Sequence, residues 1–273
     1  MFGKLIKNEI RHSARYNLVI YIVALAVTLV MGVSLITGSK ALGVVSCFAI
    51  YITGFATVIV TLVSVIKNFY DTLFSRQGYL TLTLPVKGST LLVSKIVVSF
   101  LWIILGFFIM ALTWLAVFVY VRQQTQADFD VIKVLLFDSG LLELLPSGAV
   151  VAQVLAIIAA IALTKILTYV AYIYFAVTVA NTRSFQSHPK FFGGVTFFIV
   201  FFVISRINNI LTEKAPVTFF VTSEKAFFDF LPMGSVEGAF ISYGVGGTIF
   251  TGLVAVGLLI ATAYIIENKV NIK

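Results

Sequence analysis

The chain has 273 residues, of which 60% are hydrophobic and 11% charged, with a mean hydropathy of +1.07 and a formal net charge of +8. Those proportions leave too few polar groups to cover a soluble globule and place the chain in a membrane. A β-barrel is excluded as well, because barrels alternate polar and apolar residues in short segments, whereas runs such as IVVSFLWIILGFFIMALTWLAVFVYV are apolar on every face.

The fold class predicted is all-α, a polytopic membrane protein with six transmembrane helices. Crossing the hydrocarbon takes about 20 mostly apolar residues, and runs of that size fall at 17–36, 42–66, 96–121, 149–180, 191–207 and 246–266. A basic start before the first run resembles a secretory signal, but that run exceeds the usual apolar core of such signals of about 7–15 residues. It is expected to stay attached. Residues 1–16 are predicted as an amphipathic interfacial helix, with Phe2, Leu5, Ile6 and Ile10 on one side and Lys4, Lys7, Asn8 and Arg11 on the other.

The second span carries Ser46, Thr53, Thr57, Thr61 and Ser64 on one helical stripe. Such a stripe lines a polar route, or else bonds its own carbonyls and neighbouring helices. Between the second and third spans lies KNFYDTLFSRQGYLTLTLPVKGSTLLVSK, a polar and basic island covering 67–95. Its first part is predicted helical, with Phe69, Tyr70, Leu73 and Phe74 as an apolar ridge, Asp71, Ser75 and Arg76 beside it, and Gly78 as its stop. Pro85 and Gly88 break the stretch that follows. In the fourth span Lys165 is expected deep in the membrane, with Thr164, Thr168, Tyr169 and Tyr172 on or near its face to bond it; the alternative is snorkelling to the interface. The fifth span is crowded with Phe191, Phe192, Phe197, Phe198, Phe201 and Phe202, an aromatic lining or gate, or a lipid-facing surface. Loops at 122–148 and 208–245 are expected outside. Gly244, Thr248 and Gly252 form a small-xxx-small pattern suited to close packing, with no partner helix indicated.

Orientation follows from the basic residues. With the N-terminus inside, the inner segments hold twelve of the 19 (Lys4, Lys7, Arg11, Arg15, Lys67, Arg76, Lys87, Lys95, Arg183, Lys190, Lys269 and Lys273), and the outer loops hold six. Acidic residues run the other way: Glu9, Asp71 and Glu267 fall inside and the remaining eight outside. Both termini are therefore expected to be cytoplasmic, and the positive charge is attributed to topology and anionic lipid headgroups, not to nucleic acid. One membrane domain is expected to fill residues 1–273.

Site chemistry is sparse. Cys47 is the single cysteine, so no internal disulfide forms. Neither His12 nor His188 has companions at ligand spacing, and no metal site is expected. No HExxH sequence and no GxxxxGK[ST] loop occurs, so the chain is not expected to be an enzyme or to hydrolyse nucleotides alone. An intramembrane hydrolase would need paired carboxylates or a His-Glu constellation in the spans, which are not present in the sequence pattern.

From Phe69 to Lys95 the order aromatic-Tyr-Asp-x-Leu-Phe-Ser, then Gly-Tyr-Leu-Thr-Leu-Thr-Leu-Pro, then Leu-Leu-x-Ser-Lys resembles the cytoplasmic loop of ABC-2 type permeases, the membrane subunits of bacterial ABC exporters. The segments FGKLIKNEIRHSAR and IIENKVNIK are similar to the ends of the Gram-positive type. The resemblance implies a permease in the bacterial cytoplasmic membrane, pairing with a second permease subunit, identical or paralogous, and with two cytoplasmic ABC ATPase subunits. ATP and Mg would be bound by those ATPases, with no cofactor in this chain. It implies that Phe69, Tyr70, Asp71, Leu73, Phe74, Ser75, Arg76, Gly78 and Tyr79 couple to the ATPase. It also implies that the second and fifth spans flank the route, making Ser46, Thr53, Thr57, Thr61, Ser64, Phe198, Phe201 and Phe202 candidate path residues, to which the cost of an intramembrane lysine adds Lys165, Thr168 and Tyr172 of the fourth span. Short re-entrant helices are implied before the last span. The cargo expected is amphiphilic: an antimicrobial peptide, a lipid or a drug-like molecule. A reading of another class is a membrane scaffold or sensor that signals to a cytoplasmic partner without moving cargo.

Overall fold

A computed structural model describes residues 2–75, 88–125, 148–183, 185, 187–215, 217–222, 226–232, 235 and 239–268. Six helices dominate them: α1 (Phe2–Thr37), α2 (Lys40–Leu73), α3 (Gly88–Thr125), α4 (Gly148–Ala180), α5 (Pro189–Lys214) and α6 (Gly246–Asn268). All six are long and apolar enough to cross a membrane, and the chain is a multi-pass membrane protein. Lipid offers no partner to backbone N–H and C=O groups, so each span satisfies them internally as a helix.

The helices fall into two compact units of three spans each. In the first, α1 packs on α2 and α3, and α2 on α3. Gly38 links α1 to α2 with φ at 65°, a left-handed conformation that ends a helix and that glycine adopts without a Cβ penalty. The resulting connection is only Gly38 and Ser39, so Lys40, expected in a loop, opens α2. Two clusters fill the unit. One joins Tyr21 and Ala24 to Val98, Trp102 and Ile109; the other joins Met31, Ile50 and Tyr120. Glycine lets α2 and α3 approach: a Cβ at Gly43 would strike the Tyr120 ring, and one at Gly106 would lie 3.2 Å from the Thr61 hydroxyl.

The helix expected at the N-terminus is present, but it continues unbroken into the first span, giving 36 residues in one element. No glycine or proline interrupts the sequence between Lys4 and Met31. Its buried face is polar, with Glu9, Ser13 and Asn17 turned inward, and Ile6 packs on the helix core.

In the second unit α4 packs on α5 and α6, and α5 on α6. Pro189 opens α5, as a residue without an N–H does well at a helix start, and Phe185 and Phe192 meet at 4.8 Å across the turn. The expected re-entrant helices before the last span are replaced by something else. Helix α5 continues to Lys214, and then come strands β1 (Thr218–Thr222), β2 (Ala226–Asp229) and β3 (Ala239–Gly244). They form an antiparallel sheet of order β2-β1-β3. TFFVT, AFFD and AFISYG are rich in aromatic and β-branched residues, which suit a pleated, half-buried surface better than a short helix. Phe219 and Val221 of β1 join Val150 and Val154 of α4 in one core, while Phe219 and Phe228 pair across the strands at 5.1 Å.

The small-xxx-small series does not share one helix, since Gly244 ends β3 while Thr248 and Gly252 lie on α6, but both glycines meet neighbours. Gly252 lies against Thr164 of α4, and Gly244 faces the Thr212 carbonyl of α5. Backbone cannot yield to an added methyl group there. Gly244→Ala is therefore expected to lower the unfolding free energy by about 1–3 kcal/mol, read as a fall in the thermal midpoint of the detergent-solubilised protein. Gly257→Ala, in α6 where a Cβ would meet nothing within 4 Å, should leave the midpoint unchanged or raise it.

Candidate functional site

The first unit holds a buried polar seam built from one face of each helix. On α1 it runs Glu9, Ser13, Asn17 and Tyr21, four residues apart; on α2 it runs Thr57, Thr61, Ser64 and Asn68; on α3 it comprises Lys95, Ser99 and Trp102. Residues spaced by three or four share a helix face, so the three stripes meet along the unit's axis. At one end lies a charged knot. Lys95 Nζ donates to Glu9 Oε1 at 2.5 Å and is wholly buried; it donates also to Thr72 Oγ1. Asn68 Nδ2 donates to Glu9 Oε2 at 2.9 Å, and His12 Nδ1 donates to Asn68 Oδ1 at 2.9 Å. Nearby, Lys67 Nζ donates to the Tyr16 hydroxyl at 2.9 Å and lies 4.4 Å from the ring centroid.

Toward the middle of the unit, Trp102 Nε1 donates to Ser13 Oγ at 2.7 Å. The Tyr21 hydroxyl donates to the Trp102 carbonyl at 2.9 Å and lies 3.1 Å from Thr61 Oγ1, touching all three helices. Asn17 Oδ1 is buried with no partner among the described residues.

The Ser/Thr stripe of α2 belongs to this seam. Ser46, Thr57, Thr61 and Ser64 are buried, and Ser46, Thr53, Thr57 and Thr61 each donate to the carbonyl four residues back. The stripe thus bonds its own carbonyls, and Thr61 also reaches Tyr21 of α1.

The knot sits at the roots of the connection between α2 and α3. Asn68 and Thr72 lie in the last turns of α2, and Lys95 lies in the second turn of α3. Glu9 of α1 binds both sides, so the two ends of the 74–87 segment are tied to one carboxylate. The expected apolar ridge is divided: Phe69 and Leu73 are fully buried, whereas Tyr70 and Phe74 are partly exposed and meet at 6.2 Å. Spacing alone puts the four on one ridge, but helix α2 continues through these residues and turns Phe69 and Leu73 into the core. The helix stops at Leu73 with Phe74 as its cap, its N–H bonded to the Tyr70 carbonyl, five residues before the expected stop at Gly78. Asp71 is partly exposed and its carbonyl accepts from Ser75. Arg76, Gly78 and Tyr79 lie outside the described residues, as does most of the 122–148 loop.

In the second unit Lys165 Nζ donates to Asn208 Oδ1 of α5 at 3.1 Å. The expected partners are engaged elsewhere: Thr164 donates to the Ala160 carbonyl, and Thr168 donates to the carbonyls of Thr164 and, across the helices, Thr251. Tyr169 stacks on Phe201 at 6.4 Å and meets the buried Tyr172 edge-on at 6.1 Å. Phe197 stacks on Phe201, and Phe198 on Phe202, one turn apart along α5. Phe198 and Phe202 are exposed on a helix whose single fully buried residue, among those described, is Ile204.

Among the described residues no group of His, Cys, Asp or Glu could hold a metal ion. No family model matches the chain, and neither a curated protein nor a solved structure matches it.

The Glu9–Lys95 pair makes a separable prediction. Removing one member leaves the other charge buried and uncompensated, at a cost of about 3–5 kcal/mol, whereas replacing both with apolar residues is near neutral or stabilising. Glu9→Gln and Lys95→Met should each lower the thermal midpoint sharply. The double variant Glu9→Leu/Lys95→Met should recover most of the loss in a double-mutant cycle.

Proposed function

We propose that this chain is the permease subunit of an ATP-driven exporter of the ABC-2 type, in the bacterial cytoplasmic membrane with both termini cytoplasmic. The observation that carries the reading is the charged knot at the roots of the 74–87 segment. A membrane subunit that feels a cytoplasmic ATPase needs a projecting element whose ends are rigidly joined to the helices it must move. Here one carboxylate on α1 holds the end of α2 and the start of α3 together. A push on the segment then tilts three helices as a body and does not bend one.

The division of the ridge refines the coupling surface. Tyr70 and Phe74, partly exposed and in ring contact, are the groups offered to an ATPase groove, flanked by Asp71. Phe69 and Leu73 form the platform beneath them. Segment composition and charge asymmetry support the orientation, since the same end gathers Lys4, Lys7, Arg11, Arg15 and Lys67. Two such subunits would pair and bind two ATPases, which would supply ATP and Mg. An apolar, aromatic fifth span with exposed Phe198 and Phe202 suits an amphiphilic cargo.

Purification of the tagged chain from its native membranes should bring down a nucleotide-binding ATPase, with ATP turnover in liposomes that responds to amphiphilic cargo. Phe74→Glu should cut ATPase retention about tenfold or more while the thermal midpoint stays near wild type. Phe69→Ala should instead cost about 3–5 kcal/mol of stability as a core truncation. In a Cys47→Ser background, Tyr79→Cys should be labelled by an impermeant maleimide only from the cytoplasmic face. Absence of any ATPase, with cargo-independent signalling to another partner, would select the scaffold or sensor reading; external labelling of position 79 would overturn the orientation.

A further inference from the structure

Lys165 differs from Lys95 in having a neutral partner. Asn208 takes one of its three donors, and the one ion pair among the described residues is Glu9–Lys95. An ammonium at an apolar helix seam is costly without an anion, so its depth decides what could neutralise it.

Two contacts fix the register of α4 against α5: Lys165 meets Asn208, and Tyr169 stacks on Phe201. The residue numbers rise on α4 as they fall on α5, so the helices run antiparallel. At 1.5 Å per residue Asn208 stands about 29 Å along α5 from Pro189, close to the thickness of about 30 Å of a hydrocarbon core. The sequence of α5 changes at the same level, from FFGGVTFFIVFFVI to SRINNILTEK. On the other side α6 begins nearby, since Thr168 bonds the Thr251 carbonyl only five residues into that helix. The N-terminal part of α4 beyond this level packs on β1. Measured along α5, Lys165 therefore stands toward the edge of the apolar band. Measured along α4 it stands nearer the middle of the 152–180 apolar run, but α4 outruns both neighbours.

We infer that Lys165 and Asn208 form a binding site for the phosphate of an anionic phospholipid, with an acyl chain laid along the aromatic seam of Tyr169, Phe201 and Phe202. The ammonium supplies charge and two remaining donors, while Asn208 sets its direction. Tyr169 and Phe202 are 45% and 60% exposed beside it, which gives apolar surface for a chain running toward the bilayer centre. A soluble phosphate would gain nothing from that seam. The site does not depend on the exporter reading.

The test is native mass spectrometry of the full chain in detergent, titrated with phosphatidylglycerol, with phosphatidylcholine as the zwitterionic comparison. Wild type should hold one saturable phosphatidylglycerol, bound about five- to tenfold more weakly in Lys165→Met and retained in Lys165→Arg. Arg206→Gln, which removes a charge one turn-half away on an exposed face of α5, should keep it. Lys165→Gln provides a second neutral variant should Lys165→Met fail to elute as a folded species. Equal retention in wild type and a folded neutral variant would overturn the site. Displacement of the lipid by millimolar inorganic phosphate would overturn the lipid as its occupant.

Discussion

Burying the Lys95 ammonium is the constraint around which the first unit is arranged. Moving a charge of this kind out of water costs several kcal/mol even after relaxation, and a single counter-charge repays it only when the remaining donors and acceptors are also satisfied. Glu9 therefore cannot act alone. Thr72 takes a second Lys95 donor, Asn68 fills the other carboxylate oxygen, and His12 occupies the amide oxygen of Asn68. Three helices must reach one register for this set to close. Between helices in lipid, apolar side chains supply little discrimination, since the tails outside are as apolar as the leucines inside. The knot gives the unit its register more than its stability, and the Tyr21 clasp on Thr61 and Trp102 repeats the same device farther along.

The second unit reaches its register by other means. Glycines at 244, 246 and 247 bring the start of α6 against the backbone of α5 near Asn208, Leu211 and Thr212, and the sheet braces α4 through Phe219 and Val221. Cross-helix hydrogen bonds from Thr168 and from Lys165 add to these contacts. The polar content is small because close backbone contact already limits how these helices slide. Among the described residues this unit offers Lys165 an amide and no counter-charge.

Helix number and position were legible because 20-residue apolar runs have few other uses in a chain of this composition. Ends were less so. The boundary at Ile207 followed hydropathy, yet α5 runs on to Lys214, and the polar residues so excluded included Asn208, the partner of Lys165. The sheet escaped notice because its period-2 strands are short and sit in a segment that reads only as amphiphilic. In the sequence Glu9 stands as one acid among Lys4, Lys7, Arg11 and Arg15. Its meaning needed the four-residue series Glu9, Ser13, Asn17 and Tyr21 to be seen as a polar face on a helix otherwise bound for lipid, together with Lys95, Ser99 and Trp102 on α3. Both series are present in the sequence; what pairs them, and turns Phe69 and Leu73 inward, is tertiary.

The two lysines then part company on a single physical ground. Lys95 is neutralised by its own chain, at 0% exposure, and its contacts to Glu9 and Thr72 lie within the helix bundle of its unit. Lys165 has an amide where Lys95 has a carboxylate, and it lies where α5 turns from apolar to polar. A charge left incomplete at that level, beside exposed aromatic rings, is completed by whatever anion the surroundings hold at highest density. At the rim of a bilayer that anion is a lipid phosphate, which reaches the site with its chain already in the seam. Desolvation that makes an intramembrane lysine a liability is thus offset without a protein carboxylate, and the same geometry that leaves Lys165 open on the lipid side keeps Lys95 closed to it.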